Sequence, residues 1–214
     1  MKCALGWACW KTYVGRPETD KVRIASIEQL GNGLHSAGHH EDALSVQEAE
    51  LSMLRRHGAP EENMLATQSN LANTYQKLGH HEKALSMERD VYSGRLKLNG
   101  KEYEGTLQAA LNLSTSLVDT GNFAEARAFT RKQMKLATRV LGSDHPITFD
   151  FQWGYSRAFT LDKGVSADQL IEVAATLEKT LKTAQRVLGR EHPDTFNIRG
   201  ELAFARKEIA RRGA

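Results

Sequence analysis

Asn70 to Leu85, NLANTYQKLGHHEKAL, decides the fold. Leu71, Tyr75 and Leu78 fall at i, i+4 and i+7, so they share one helical face. Gly79 then stops the helix, because glycine takes a left-handed cap without steric cost. After His80 and His81 a second helix opens with Glu82, Lys83, Ala84 and Leu85. The unit repeats. Gly38, Gly79 and Gly121 are separated by 41 and 42 residues. Each is followed five residues later by alanine (Ala43, Ala84, Ala126) and preceded at eight by leucine (Leu30, Leu71, Leu113). Seven before stands a small residue, Gly31, Ala72 or Ser114, and four before a large apolar one, Leu34, Tyr75 or Leu117. Small against large at a fixed phase is how stacked helical hairpins interlock. A repeat of this length signals a solenoid.

A further motif is LGSDHPITF at Leu141 to Phe149, which recurs as LGREHPDTF at Leu188 to Phe196. Its glycine closes one helix, and its proline suits the first turn of the next, where the missing N–H would be unpaired anyway. With these residues in view, the chain resembles a tetratricopeptide repeat protein. The period near 42 resembles the kinesin light chain type. The resemblance covers about residues 20–210. It implies an all-α fold, a right-handed α-solenoid of antiparallel helix pairs.

The expected organisation is one domain over 1–214, with a partial repeat at 1–20 and repeats near 21–60, 61–102, 103–144 and 145–191. A capping helix follows at 192–214. The segment Trp10 to Thr19 reads as the tail of a second helix with a degenerate His-Pro linker, so the chain would begin midway through a repeat. Trp7 and Trp10 would then pack on the first complete repeat, or sit exposed if a preceding helix is absent. Repeat four replaces its turn with DKGVSADQL, and Ser166 with Gln169 reads as a capping box for its second helix.

Composition narrows the function classes. Charged residues make up 26% and aromatics 7% of 214 residues, the economy of a repeat that buries only the faces toward its neighbours. A net charge of +3 is nearly balanced and does not suggest nucleic acid. Cys3 and Cys9 form no C-x-x-C pair, which fits a reducing compartment. The opening MKCALGWACWK has too short an apolar run for a signal peptide, and no stretch reaches the length of a membrane span. A soluble, cytoplasmic protein with no membrane partner is expected.

Chemistry is sparse. His39-His40 and His80-His81 sit at the same turn in adjacent copies, but His40 and His81 read as filling an aromatic packing slot, since Phe123 occupies it in repeat three. With cysteines and supporting carboxylates missing, no metal is expected. GNGLHSAG at Gly31 has no preceding strand for a phosphate loop, and GYSRA at Gly154 lies within a helix rather than at a nucleophile elbow. No catalytic residues and no cofactor are expected.

The inner face is more informative. Beside the core positions runs a polar stripe: Gln29, Asn70 and Asn112 at nine before the glycine, Asn32, Asn73 and Thr115 at six, and Ser36, Lys77 and Asp119 at two. Carboxamides offer a donor and an acceptor each, so a ladder of them can pair with an extended backbone whatever its side chains. The resemblance adds that related repeats use groove asparagines to hold peptides. Gly154 and Glu201 take the first column in later repeats, so the ladder fades toward the C-terminus. On the outer helices Arg56, Lys97, Arg139 and Arg186 form a column of one basic residue per repeat, read either as a solvated face or as a site for an acidic partner.

The expected function is an adaptor that binds a protein or peptide partner through an extended segment in its concave groove. The alternative is a detached sensor or regulatory arm of a larger signalling or ATPase protein. No heptad coiled coil is present, so association with a motor is not carried over from the resemblance. Self-association through the incomplete first repeat stays open.

Overall fold

Each glycine that punctuates the sequence ends a helix. Gly38, Gly79 and Gly121 have φ of 84°, 82° and 76°, the left-handed region in which a Cβ would be strained. At each, the next residue's N–H reaches back across the turn, from His39 to the Leu34 carbonyl, from His80 to Tyr75 and from Asn122 to Leu117.

The computed structural model describes residues 2–212, with side chains from residue 4 onward. Among them are ten helices and no strand: α1 Lys2–Tyr13, α2 Lys21–Ser36, α3 His40–Arg56, α4 Glu61–Lys77, α5 His81–Asn99, α6 Glu104–Asp119, α7 Phe123–Leu141, α8 Pro146–Thr160, α9 Ala167–Val187 and α10 Pro193–Arg212. The all-α expectation holds. None of these helices is long and apolar enough to cross a membrane. The expected end of the capping helix, 213–214, and the side chain of Cys3 lie outside the described residues; Cys9 is a free thiol.

By packing, the chain gathers into two compact units that divide at the end of α5, one through Leu98 and the other from Asn99. In the first unit α1 lies on α2 so closely that a Cβ on Gly6 would meet the Leu30 Cα at 2.9 Å and the Gln29 carbonyl at 3.0 Å. Trp10 packs on Leu30, Leu34 and Ala43, while Trp7 stays exposed. Asp20 caps α2, its carboxylate accepting from the N–H of Val22 at 2.8 Å and of Arg23 at 3.1 Å. Leu51, Leu71, Tyr75 and Ala84 form the next layer.

In the second unit Phe149, Phe159, Leu170, Leu177, Ile198 and Leu202 join α8, α9 and α10 in one core. His145 and His192 act as helix entries: the Nδ1 of each accepts from the N–H two residues on, at 3.3 Å. The expected capping box is present, with the Ser166 hydroxyl accepting from the Gln169 N–H and the Gln169 side chain returning to the Ser166 N–H. The lengthened turn before it is held by Arg127, which reaches Asp162 at 2.8 Å, and by Arg212, which donates to the Asp162 and Val165 carbonyls.

One packing expectation is overturned. His40 does enter the aromatic slot, its ring 5.0 Å from that of His35, and His39 is exposed. In the next copy both histidines are exposed, His80 as expected, and it is His80 rather than His81 that makes an edge contact with Tyr75, at 6.0 Å. Lys83 is the reason. Its Nζ lies 3.9 Å from the Tyr75 ring centre and donates to the phenol oxygen, so that face of the ring is already covered.

Gly6 and Gly200 make opposite predictions. Gly6→Ala forces α1 off α2 and should cost about 1–3 kcal/mol, seen as a lower thermal midpoint and a changed Trp10 emission. Gly200 lies in α10 with nothing within 4 Å of its added Cβ, so Gly200→Ala should stabilise by about 0.5–1 kcal/mol.

Two carboxyls predict the pH response. Burial raises Glu50 to about 7, and burial together with the nearby Asp194 raises Asp150 to about 7. The folded chain therefore holds these protons more tightly than the unfolded one, a stabilisation that is full in acid and lost as pH rises toward 7. Glu18, held low mainly by His57, and Asp162, held low mainly by Arg127, act in the opposite sense and lose their contribution as the solution becomes acidic. The thermal midpoint should thus peak in mildly acidic solution and fall by roughly 3–10 °C toward pH 8, and Glu50→Gln with Asp150→Asn should flatten that fall.

Candidate binding groove

The polar stripe is assembled in the first unit. Asn32 and Ser36 on α2 and Asn70 and Asn73 on α4 line one cleft of about 140 Å³ with His35 and Gln47. Gln29, Asn32 and Ser36 also face α1 across a cleft of about 260 Å³ lined by Leu5, Gly6 and Cys9. The two clefts share Asn32 and Ser36, so the row is continuous. Asn32, Asn70 and Asn73 are half-buried, which fixes their stems and leaves part of each carboxamide accessible, while Gln29 and Lys77 are exposed.

Below the cleft lies a support that periodicity did not reveal. The Thr74 hydroxyl lies 2.7 Å from the Gln47 Oε1 and 3.0 Å from the His35 Nδ1. Thr74 and Gln47 are buried, so this contact fixes α2, α3 and α4 together directly beneath Asn70 and Asn73. Burial, with His40 and Lys77 adding repulsion, lowers the pKa of His35 and keeps the ring neutral. The available signal was a recurring small or polar residue five before the glycine, Gly33, Thr74 and Ser116, all buried.

In the second unit the same columns look different. Asn112 accepts from the Gln108 amide at 3.2 Å, and the Thr115 hydroxyl donates back to the Leu111 carbonyl of its own helix. Asp119 accepts from Arg157 at 3.1 Å, and the guanidinium stacks over Trp153 at 5.1 Å. Glu201 accepts from the Thr160 hydroxyl, and burial raises its pKa. Here the last column of the stripe carries an ion pair where the first unit has Ser36 and Lys77.

The basic column has partners within the fold. Arg56 reaches Glu18 at 3.1 Å, Arg139 reaches Glu102 at 2.6 Å and Arg186 reaches Asp144 at 3.3 Å. Each acid lies in the linker that opens the repeat whose second helix ends in that arginine. Lys97 is exposed, and in its repeat Arg95 makes the corresponding reach to Glu62, at 3.1 Å. Water and salt screen these exposed pairs, so they close repeats rather than hold them together.

A family model described as tetratricopeptide repeat matches residues 23–97, and a second of the same description matches 106–147 and 173–194. Together they cover well over half of the chain. The chain belongs to the tetratricopeptide repeat family. The gap in the second match, 148–172, contains the lengthened turn of repeat four. No curated protein matches the sequence. Among solved structures, kinesin light chain nearly identical TPR-like repeats from Podosopora anserina superpose with a TM-score of 0.70 at 22% identity, over 93% of this chain and 90% of that one. BtubC (BKLC) from P. vanneervenii gives 0.71 at 14% identity, over 99% and 88%. A Rap protein complexed with Competence and Sporulation Factor gives 0.55 at 16% identity, over 90% and 54%. These similarities establish the solenoid fold.

The Thr74 contact is testable. Thr74→Val keeps the shape and leaves the buried Gln47 oxygen without its donor, so it should cost about 1–3 kcal/mol in urea unfolding. Thr115→Val, whose hydroxyl serves only its own helix turn in the structure, should cost far less.

Proposed function

We propose that this tetratricopeptide repeat chain is a protein-interaction module, an adaptor that holds an extended partner segment on the carboxamide row of its first unit. The observation that carries this reading is the convergence of Asn32, Asn70 and Asn73 from two helices on one cleft, half-buried and held from below by Thr74 and Gln47. Such a row suits a peptide backbone, which needs alternating donors and acceptors and gives no charge to read. Gln29 extends the row on one side, and Lys77 on the last turn of α4 offers a cation for an acidic side chain or a carboxyl terminus. Asn112 and Thr115 hold the same sequence phase in repeat three and are proposed as further contacts there. The Rap protein complexed with Competence and Sporulation Factor, a chain of similar fold, supports binding as a use of this scaffold.

The test uses peptides selected from a displayed random library against the full chain. Asn70→Ala with Asn73→Ala removes at least two hydrogen bonds of about 0.5–1.5 kcal/mol each and should weaken the selected peptides roughly tenfold or more. The thermal midpoint should change little, since these carboxamides face the cleft rather than the core. Unchanged affinity with a collapsed midpoint would show that the asparagines hold the repeats together instead.

A further inference from the structure

A hollow of the first unit lies away from the carboxamide row and shares no residue with it. It encloses about 690 Å³, within the span of about 300–1,000 Å³ usual for small-ligand sites. It opens where the first turns of α2 and α4 meet the last turn of α3. Ile24, Ala25, Leu54, Pro60 and Ala66 give it apolar walls.

Glu50 is the most deeply buried charged residue of the lining. It is only 2% exposed. Its Oε1 accepts from the Thr67 hydroxyl at 3.1 Å, while its Oε2 is buried without a hydrogen-bond partner. A carboxylate left in this state is expensive, because the water that would solvate it is excluded. A second carboxyl, Glu28, lines the same hollow and adds repulsion. The basic groups around the hollow are engaged or peripheral: Arg95 pairs with Glu62 at 3.1 Å, His57 with Glu18 at 2.8 Å, and Lys21 is exposed at the rim.

We infer that this hollow is a second binding site, which takes a primary ammonium group on an aliphatic stem. The stem lies against Ile24, Leu54 and Ala66, and the ammonium donates to the orphaned Oε2 of Glu50, with Glu28 supplying a second negative charge. A neutral donor would satisfy the oxygen but gain nothing from the paired carboxyls. Unliganded, Glu50 is raised to about 7 and is partly protonated in neutral solution; a bound cation drives that proton off. The ammonium itself stays charged throughout this range.

The experiment follows the methyl resonances of Ile24, Leu54 and Ala66 in the full chain. Three probes are titrated: acetyl-Ala-Lys-Ala-amide, the same peptide with norleucine in place of lysine, and n-pentylammonium. The lysine peptide should give saturable shifts that the norleucine peptide does not. Its affinity should rise about tenfold from pH 6 to pH 8, as Glu50 gives up its proton. Glu50→Gln should weaken binding at pH 8 at least tenfold and abolish the pH response, which assigns that response to Glu50 rather than to Glu28, Glu62 or His57. If Glu50→Gln does not fold, the pH ratio and the norleucine comparison in the unaltered chain still decide. Tighter binding of the peptide than of n-pentylammonium places the ammonium on a polypeptide side chain, and the reverse order places it on a free amine; either supports the site. Equal shifts from the norleucine peptide, pH-independent affinity, or no saturable shift at pH 8 would overturn it.

Discussion

Three helix pairs in this chain, α2 with α3, α4 with α5 and α6 with α7, each close on a fully enclosed alanine. Ala43 lies against Leu30 and Leu34, and Ala84 against Leu71 and Tyr75, both with essentially no exposed surface. Ala126 holds the same place and is equally enclosed. A bulkier side chain would drive the paired helices apart, at about 1–3 kcal/mol for each overpacked site. The glycine five residues earlier makes this approach geometrically available, because its left-handed turn reverses the chain in two residues. The phase of every other face follows: with the leucine and the large apolar residue turned toward the alanine, the positions beside them must face the cleft.

That close approach also fixes polar groups inside. Gln47, one turn beyond Ala43, is 1% exposed and lies beside Gly31, where an added Cβ would stand 3.0 Å from its Cγ. The small residue of α2 thus makes space for a glutamine of α3, and the glutamine meets Thr74 of α4. Three helices from two repeats are keyed by one hydroxyl. An apolar contact of the same area would tolerate sliding, whereas a directional one leaves a buried oxygen unpaired if the helices shift. The relative setting of Asn32, Asn70 and Asn73 therefore depends on a layer that no ligand would touch.

Helices were legible because their punctuation is local. The glycine caps, the Ser166 cap and the His-Pro entries each act within a few residues, and α10 begins at Pro193 as its motif implies. The stripe was legible too, as a consequence of phase. What escaped is whatever depends on a partner far along the chain. Gln47, Glu50, Thr67 and Thr74 look like outward-facing polar residues by periodicity, yet all four are buried against one another across 17 to 27 residues of sequence. The basic column likewise showed its spacing but not the acids 37 to 42 residues upstream that it meets. His81 was misread for the same reason, since the competing Lys83 acts through Tyr75 on another helix.

The carboxamide cleft and the Glu50 hollow use α2 and α4 at different ends, and this division has a chemical logic. Near the C-terminal ends of both helices the lining is carboxamide and hydroxyl, groups that accept almost any extended backbone. Near their first turns it is an apolar pocket with a shielded carboxyl, which would discriminate by charge, because an unmatched occupant leaves Glu50 unsatisfied. A row of neutral contacts gives affinity with little choice, and a single buried charge gives choice with little area. On the readings proposed for them, the first unit separates grip from selection along the length of the same two helices. The helix-pair geometry makes this separation possible, because each first helix is long enough to carry one chemistry per end while its middle stays locked to the alanine row.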